Sequence, residues 1–250
     1  MENLVKELTD DILQKRDVRS MRDVVEDLEE AYGVQDKVVA NLGATCGRKI
    51  ALNTAAQMEK AGIDRPTAGV ILGDGPIANG SRLRISDYSE LALEPEFVAI
   101  LSADIPAGTV VKPADLMSVV DRFSMGFEVL EKRNAPADLH APTFIANNVF
   151  NAGCVVSETA LDPEMLQNGA YEALFTAAAE VKVQGKGTAP QNPLEACAFV
   201  INHFTARGQS LRKGELILCG AHHPPLSIVK TGDYVFSLSS GEAVSLSISD

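Results

Sequence analysis

The stretch Leu93-Glu94-Pro95-Glu96-Phe97-Val98-Ala99-Ile100-Leu101 constrains the fold more than any other part of the chain. Its apolar run reads as a buried strand, and a strand sends successive side chains to opposite faces. Glu94 and Glu96 therefore leave one face about 7 Å apart. Two acids on one face can hold a hard cation. They can equally form the wet face of a half-exposed antiparallel strand, and the spacing alone leaves both readings open.

At 250 residues the chain is long enough for one large domain, or a core domain with a smaller terminal one, without covalent staples. A formal charge of −12, from 22 basic and 34 acidic residues, argues against a nucleic-acid partner, which would need a basic face. Cys46, Cys154, Cys197 and Cys219 show no Cys-x-x-Cys spacing, and the chain starts without a basic-then-apolar leader. A disulfide framework and secretion both weaken, so the expected setting is reducing and cytoplasmic. No apolar run approaches the roughly 20 residues that span a bilayer, so no membrane association is expected. With no tryptophan, a base- or sugar-stacking platform is not expected either.

Apolar spacing predicts helices over Leu4–Leu13 and from Ser20, as N-cap, through Tyr32 and on to Leu42. Gly47 to Thr54 reads as a strand, followed by a helix over Ala55–Ala61 that Gly62 stops. Gly69 to Ser86 reads as short strands in tight turns. Phe123 to Arg133 is strand-like, with Glu128 between Phe127 and Val129. A carboxylate there is costly to bury unless a cation meets it, either a metal or an Arg or Lys side chain. Ile145 to Ser157 reads as an Asn-rich turn entering a strand. Glu172 to Lys182 is ambiguous, its alanines favouring helix, while the alternation in Val181 to Gly187 favours a strand with a hairpin turn, so the later half is read as strand. Pro193 opens a helix that Gly208 ends, and strands and turns fill the remainder. The expected division is a helical N-terminal region over 1–66 and a β-rich catalytic core over 67–250.

Taken in order, several blocks resemble the hydratase/decarboxylase branch of the fumarylacetoacetate hydrolase superfamily, over about Ser20 to Ile248. Gly47-Arg48-Lys49-Ile50-Ala51-Leu52-Asn53 resembles its Gly-Trp-Lys-x-Gly-Leu-Thr block. Asp64-Arg65-Pro66 with Gly69 and Leu72 is similar to its Asp-x-Pro-x-x-Gly-x-Leu turn, and Glu94-Pro95-Glu96-Phe97 to its metal-binding strand. Phe127-Glu128-Val129 stands where the third acidic ligand falls, and Ile145-Ala146-Asn147-Asn148 resembles Ile-Ala-Asp-Asn. Gly214 to Gly220 and Thr231-Gly232-Asp233 are similar to the closing strand and turn.

The resemblance implies an α+β fold: a mixed β-roll of the fumarylacetoacetate hydrolase C-terminal type with the N-terminal helices packed on it, assembled as a homo-oligomer. It implies a lyase in which Glu94, Glu96 and Glu128 hold Mg²⁺ or Mn²⁺, since oxygen-only ligation favours those ions over zinc. The implied reaction adds water to a short 2-hydroxy-2,4-dienoate of the 2-oxopent-4-enoate type, giving a 4-hydroxy-2-oxo acid of aromatic hydrocarbon catabolism. Decarboxylation of a 4-oxalocrotonate-type acid is the alternative, and C–C bond hydrolysis is the third option. A non-catalytic subunit associated with a sister decarboxylase or hydratase is the rival outside catalysis. Within this scheme Lys49 balances charge at the substrate carboxylate or enolate, or transfers a proton. Asn148 orients the substrate, Asp74 shuttles a proton, and His222 is an acid/base group with His223 binding substrate.

The chain departs from the pattern at Arg48, Ala51, Val149-Phe150-Asn151 and Cys219-Gly220-Ala221-His222-His223-Pro224. These departures are expected to line the substrate tail. A plain turn is the other reading of the His-His-Pro-Pro loop.

Overall fold

The computed structural model describes residues 2–136 and 140–250. Two helices come first, α1 over Glu2–Leu13 and α2 over Leu28–Leu42. The Ser20 start is corrected: its hydroxyl accepts the Arg22 N–H of a local turn, and Asp27 caps α2 by accepting from Glu30 N–H. Met21 and Val25 are buried at helical spacing without being helical.

Strand β1 covers Thr45–Ala51, helix α3 Ala55–Ala61, and strands β2, β3 and β4 Thr67–Leu72, Ile77–Ala78 and Arg82–Arg84. Two long strands follow, β5 over Leu91–Leu101 and β6 over Val120–Glu131. Next come α4 over Ala141–Ala146, β7 over Asn151–Val156 and α5 over Pro163–Gln167. Strands β8 and β9 cover Glu172–Ala177 and Glu180–Lys186, and α6 covers Pro193–Ala206. The chain closes with β10 over Leu216–Ala221, β11 over Leu226–Ser227, β12 over Gly232–Leu238 and β13 over Ala243–Ser249.

The alanine-rich stretch at 172–177 is therefore strand. Ala173, Phe175 and Ala177 alternate into the core while β8 pairs with β12, and that pairing overrides alanine's helix preference. The hairpin turns at Ala178-Ala179, with φ of 48° and 68°.

One sheet runs β2-β1-β10-β5-β6-β7-β3 with β11 beside β5, and a second runs β4-β13-β12-β8-β9. The β1–β10, β3–β7 and β4–β13 pairs are parallel and the other pairs antiparallel, so the roll is mixed as expected. The division at residue 66 does not follow the sheet: β1 lies between β2 and β10, and the helical segment ends at Leu42.

Alternation along β5 separates two apolar clusters. Phe97, Ala99 and Leu101 pack toward α6 and the second sheet, with Phe127, Phe175 and Phe236. Val98 and Ile100 pack on the opposite face with Ile71, Cys154, Val156, Leu216 and Leu218, inside the roll. Burial at about 25 cal/mol per Å² of apolar surface makes such clusters the main source of stability. Val5, Leu8, Tyr32, Val34 and Val38 of the N-terminal helices pack with Ile145 and Ala146 of α4.

The outer edge of β2 is closed by side chains, which leaves no bare backbone row for another strand to join. Tyr32 Oη accepts from Ala68 N–H at 3.0 Å, and Gln35 donates to Ala68 O at 3.2 Å. Asn148 takes both backbone groups of Val70, and Asn151 Oδ1 accepts from Leu72 N–H at 2.9 Å.

Candidate metal centre

Antiparallel register sets Glu128 of β6 directly across from Glu94 of β5, and Glu96 follows on the same face. One carboxylate oxygen from each of the three lies within 4.8 Å of the others. Glu96 and Glu128 are 1% and 0% exposed, while Glu94 is partly open. Lys49 reaches in from β1, 2% exposed, with its Nζ 2.6 Å from Glu128 Oε2.

Two neighbours hold the carboxylates in place. Asn151 donates from Nδ2 to Glu128 Oε1 at 2.8 Å, and its Oδ1 is fixed by the Leu72 and Gly153 N–H groups. Gly220 donates its N–H to Glu96 Oε2 at 2.7 Å. Gly220 has φ +106°, and a Cβ there would lie 2.6 Å from Asn53 Nδ2, so the contact needs glycine.

The electrostatics call for a cation. Burial pushes the Glu94 carboxyl up to about 8, with Lys49 opposing and Glu128 reinforcing the shift. Burial, then Glu128 and Glu94, drive Glu96 well above the usual carboxylate range. Burial by itself would lower Lys49, but the three surrounding carboxylates outweigh it and raise Lys49, so it stays an ammonium. Once ionised, three carboxylates and one ammonium carry two negative charges in excess, which a divalent ion would neutralise as it displaces the protons. All the donors are oxygens, the set that suits a hard cation such as Mg²⁺.

These groups form the floor of a cavity of about 650 Å³ that Lys49, Glu94 and Glu96 line. Three of the other residues singled out in the sequence are not brought to them as expected. Asp74 is exposed in the turn between β2 and β3, away from the cavity lining. Asn148 is buried with its whole amide engaged by Val70, which makes it an edge clamp rather than a group free to orient a ligand. His222 borders the cavity, but its imidazole sits on the Phe97 side of β5, opposite the glutamates, at ring distances of 4.5 Å from Phe97 and 4.8 Å from Phe236. Its Nδ1 bonds with Thr188 Oγ1 at 2.6 Å, and burial lowers its pKa to about 3. These contacts favour the neutral imidazole, whose Nε2 is buried with no hydrogen-bond partner among the described residues. His223 also lines the cavity, half-buried, its Nδ1 against Pro224 O.

Sequence reasoning missed Asn151 as a support for Glu128 and Gly220 as a donor to Glu96. It also missed a strained turn. Asn148, Val149 and Phe150 have φ of 50°, 54° and 60°, left-handed values that cost a non-glycine residue on the order of 1–3 kcal/mol each. Gly69 makes room for it, since a Cβ there would meet Val149 Cγ2 at 2.9 Å.

The profile of the fumarylacetoacetate (FAA) hydrolase C-terminal family matches residues 44–245. A 2-keto-4-pentenoate hydratase of Paraburkholderia phymatum is 24% identical over 94% of this chain and 95% of its own length. A 2-hydroxyhexa-2,4-dienoate hydratase of Comamonas testosteroni is 23% identical over 71% of this chain and 68% of its own. Among solved structures, 4-oxalocrotonate decarboxylase from Pseudomonas putida G7, complexed with magnesium and adipate, superposes with a TM-score of 0.87. It is 18% identical, covering 99% of this chain and 96% of that one. No helix among the described residues is long and apolar enough to cross a membrane. With four-fifths of its length inside the family profile and the roll that its neighbours share, the chain belongs to the fumarylacetoacetate hydrolase family.

Proposed function

We propose that this protein is a divalent-metal-dependent lyase that hydrates a 2-hydroxy-2,4-dienoate to a 4-hydroxy-2-oxo acid. The observation that carries the reading is the cluster of Glu94, Glu96, Glu128 and Lys49 beside an open cavity, in a chain whose relatives are hydratases. The three glutamates hold Mg²⁺ or Mn²⁺, with Asn151 and Gly220 fixing two of them. When bound, such an ion supplies Lewis-acid polarisation of a chelating 2-oxo acid at its ketone oxygen.

The chain's own groups do the rest. In the overall reaction the C2 hydroxyl proton leaves as a proton arrives at C5, giving the 2-oxo-3-ene. Water oxygen then bonds to C4, and a proton ends on C3. Lys49, whose pKa the surrounding carboxylates raise, offsets the negative charge on the C2 oxygen and the substrate carboxylate. Burial of the centre strengthens that interaction relative to water. C–C hydrolysis has less support, because the His222 imidazole is directed to Thr188 and aromatic rings rather than to the carboxylates.

The test is turnover of 2-hydroxypenta-2,4-dienoate with Mg²⁺, followed by NMR of the product. Hydration gives 4-hydroxy-2-oxopentanoate. Evolution of CO₂ from 4-oxalocrotonate, with no hydration of the dienoate, would instead establish the decarboxylase.

A further inference from the structure

The cavity above the glutamates is far larger than a five-carbon acid requires. Its volume of about 650 Å³ falls among pockets of roughly 300–1,000 Å³ that enclose drug-sized ligands. An acid chelated at the floor leaves most of that space unfilled. One wall of the space is built from Leu130, Phe144, Val149 and Phe150. The Phe144 and Phe150 rings meet edge to face at 5.2 Å and 77°, and Phe150 packs on Leu130 and Ala92.

That wall depends on the strained turn. Val149 and Phe150 reach it from left-handed backbone, a conformation that neither side chain favours. The Asn148 clamp on Val70 holds the turn in place. Strain that the surroundings enforce beside a cavity is a mark of a shape kept for a ligand.

We propose that the protein selects 2-oxo acids with an apolar tail extending beyond five carbons, the tail lying along Leu130, Phe144 and Phe150. This rests on the 2-oxo acid reading given above and adds the chemistry of the far end. The charge pattern excludes the acidic alternative: Lys49 pairs with Glu128, Lys132 pairs with Glu90, and Lys60 stands at the exposed rim. Among the described lining residues, a second carboxylate deep in the cavity meets no unpaired buried cation.

The experiment is calorimetric titration of the Mg²⁺-loaded full chain with 2-oxobutanoate, 2-oxohexanoate, 2-oxo-4-phenylbutanoate and 2-oxoadipate. Each methylene laid on the wall tightens Kd about 3- to 4-fold, so 2-oxohexanoate binds roughly tenfold tighter than 2-oxobutanoate. The phenyl acid binds tighter still, and 2-oxoadipate gains nothing. In Phe150→Ala the ratio between the phenyl and butanoate acids falls several-fold; the wild-type series decides the matter alone if that variant does not fold. Equal binding across the series, or tightest binding by 2-oxoadipate, overturns the tail assignment while leaving the 2-oxo acid reading intact. Binding by none of the four overturns both.

Discussion

The Lys49 ammonium lies 2.6 Å from Glu128 Oε2, with the two side chains 2% and 0% exposed. Removing one partner of such a buried pair leaves the other uncompensated, at a cost of about 3–5 kcal/mol. Lys49→Met is therefore expected to lower the metal-free protein's stability by that order in urea unfolding. Saturating Mg²⁺ should recover part of the loss, since the ion also neutralises the carboxylates. Turnover should fall at least tenfold in the same variant even with metal bound, because the charge at the substrate oxygen is gone.

The raised Glu94 carboxyl sets a pH dependence. Its pKa moves from 4.5 when unfolded to about 8 when folded, so the folded metal-free state binds the extra proton between those values. The associated stability is fully present below pH 4.5 and is lost as pH rises through about 8. The metal-free melting temperature should carry a declining contribution across this window, and Glu94→Gln should flatten the decline. Metal binding must displace the proton, so Mg²⁺ titrations at pH 7 should show heats that depend on the buffer's ionisation enthalpy.

Asn151 fixes the orientation of Glu128 without being a ligand itself. Loss of a partner of this kind weakens metal affinity about 10- to 100-fold. Asn151→Ala should show that weakening by calorimetry, together with a small loss of stability where Leu72 N–H loses its acceptor.

His222 supplies a contrast. Its ring is packed among Phe97, Tyr171 and Phe236, so His222→Phe should keep kcat within a few-fold in a steady-state assay. An acid/base role predicts a loss of about 100-fold or more.

The members of the carboxylate triad left local signals in the sequence, but it was the resemblance to the family that joined them into one site. Glu94 and Glu96 show strand alternation, and Glu128 breaks an apolar run. Their supports were not legible, because they arise from chain closure: Asn151 reaches Glu128 across β6 and β7, and Gly220 meets Glu96 only through the irregular β10–β5 pairing. The surroundings of Asn148 and His222 were not legible for one reason. Residue type shows that a side chain can do chemistry but not which way it faces, and here the edge of β2 engages one and the Phe97 face of β5 the other. The alanines at 173 and 177 misled because sheet pairing decides a weak propensity.

The most direct measurement is calorimetric titration of the metal-free chain with Mn²⁺ and Mg²⁺, with and without oxalate as a mimic of the 2-oxo acid head. One ion should bind per chain, oxalate should tighten it, and Glu96→Gln should abolish the heat while the protein remains folded by circular dichroism. No binding at millimolar concentration, or equal binding by Glu96→Gln, would contradict a metal centre at Glu94, Glu96 and Glu128.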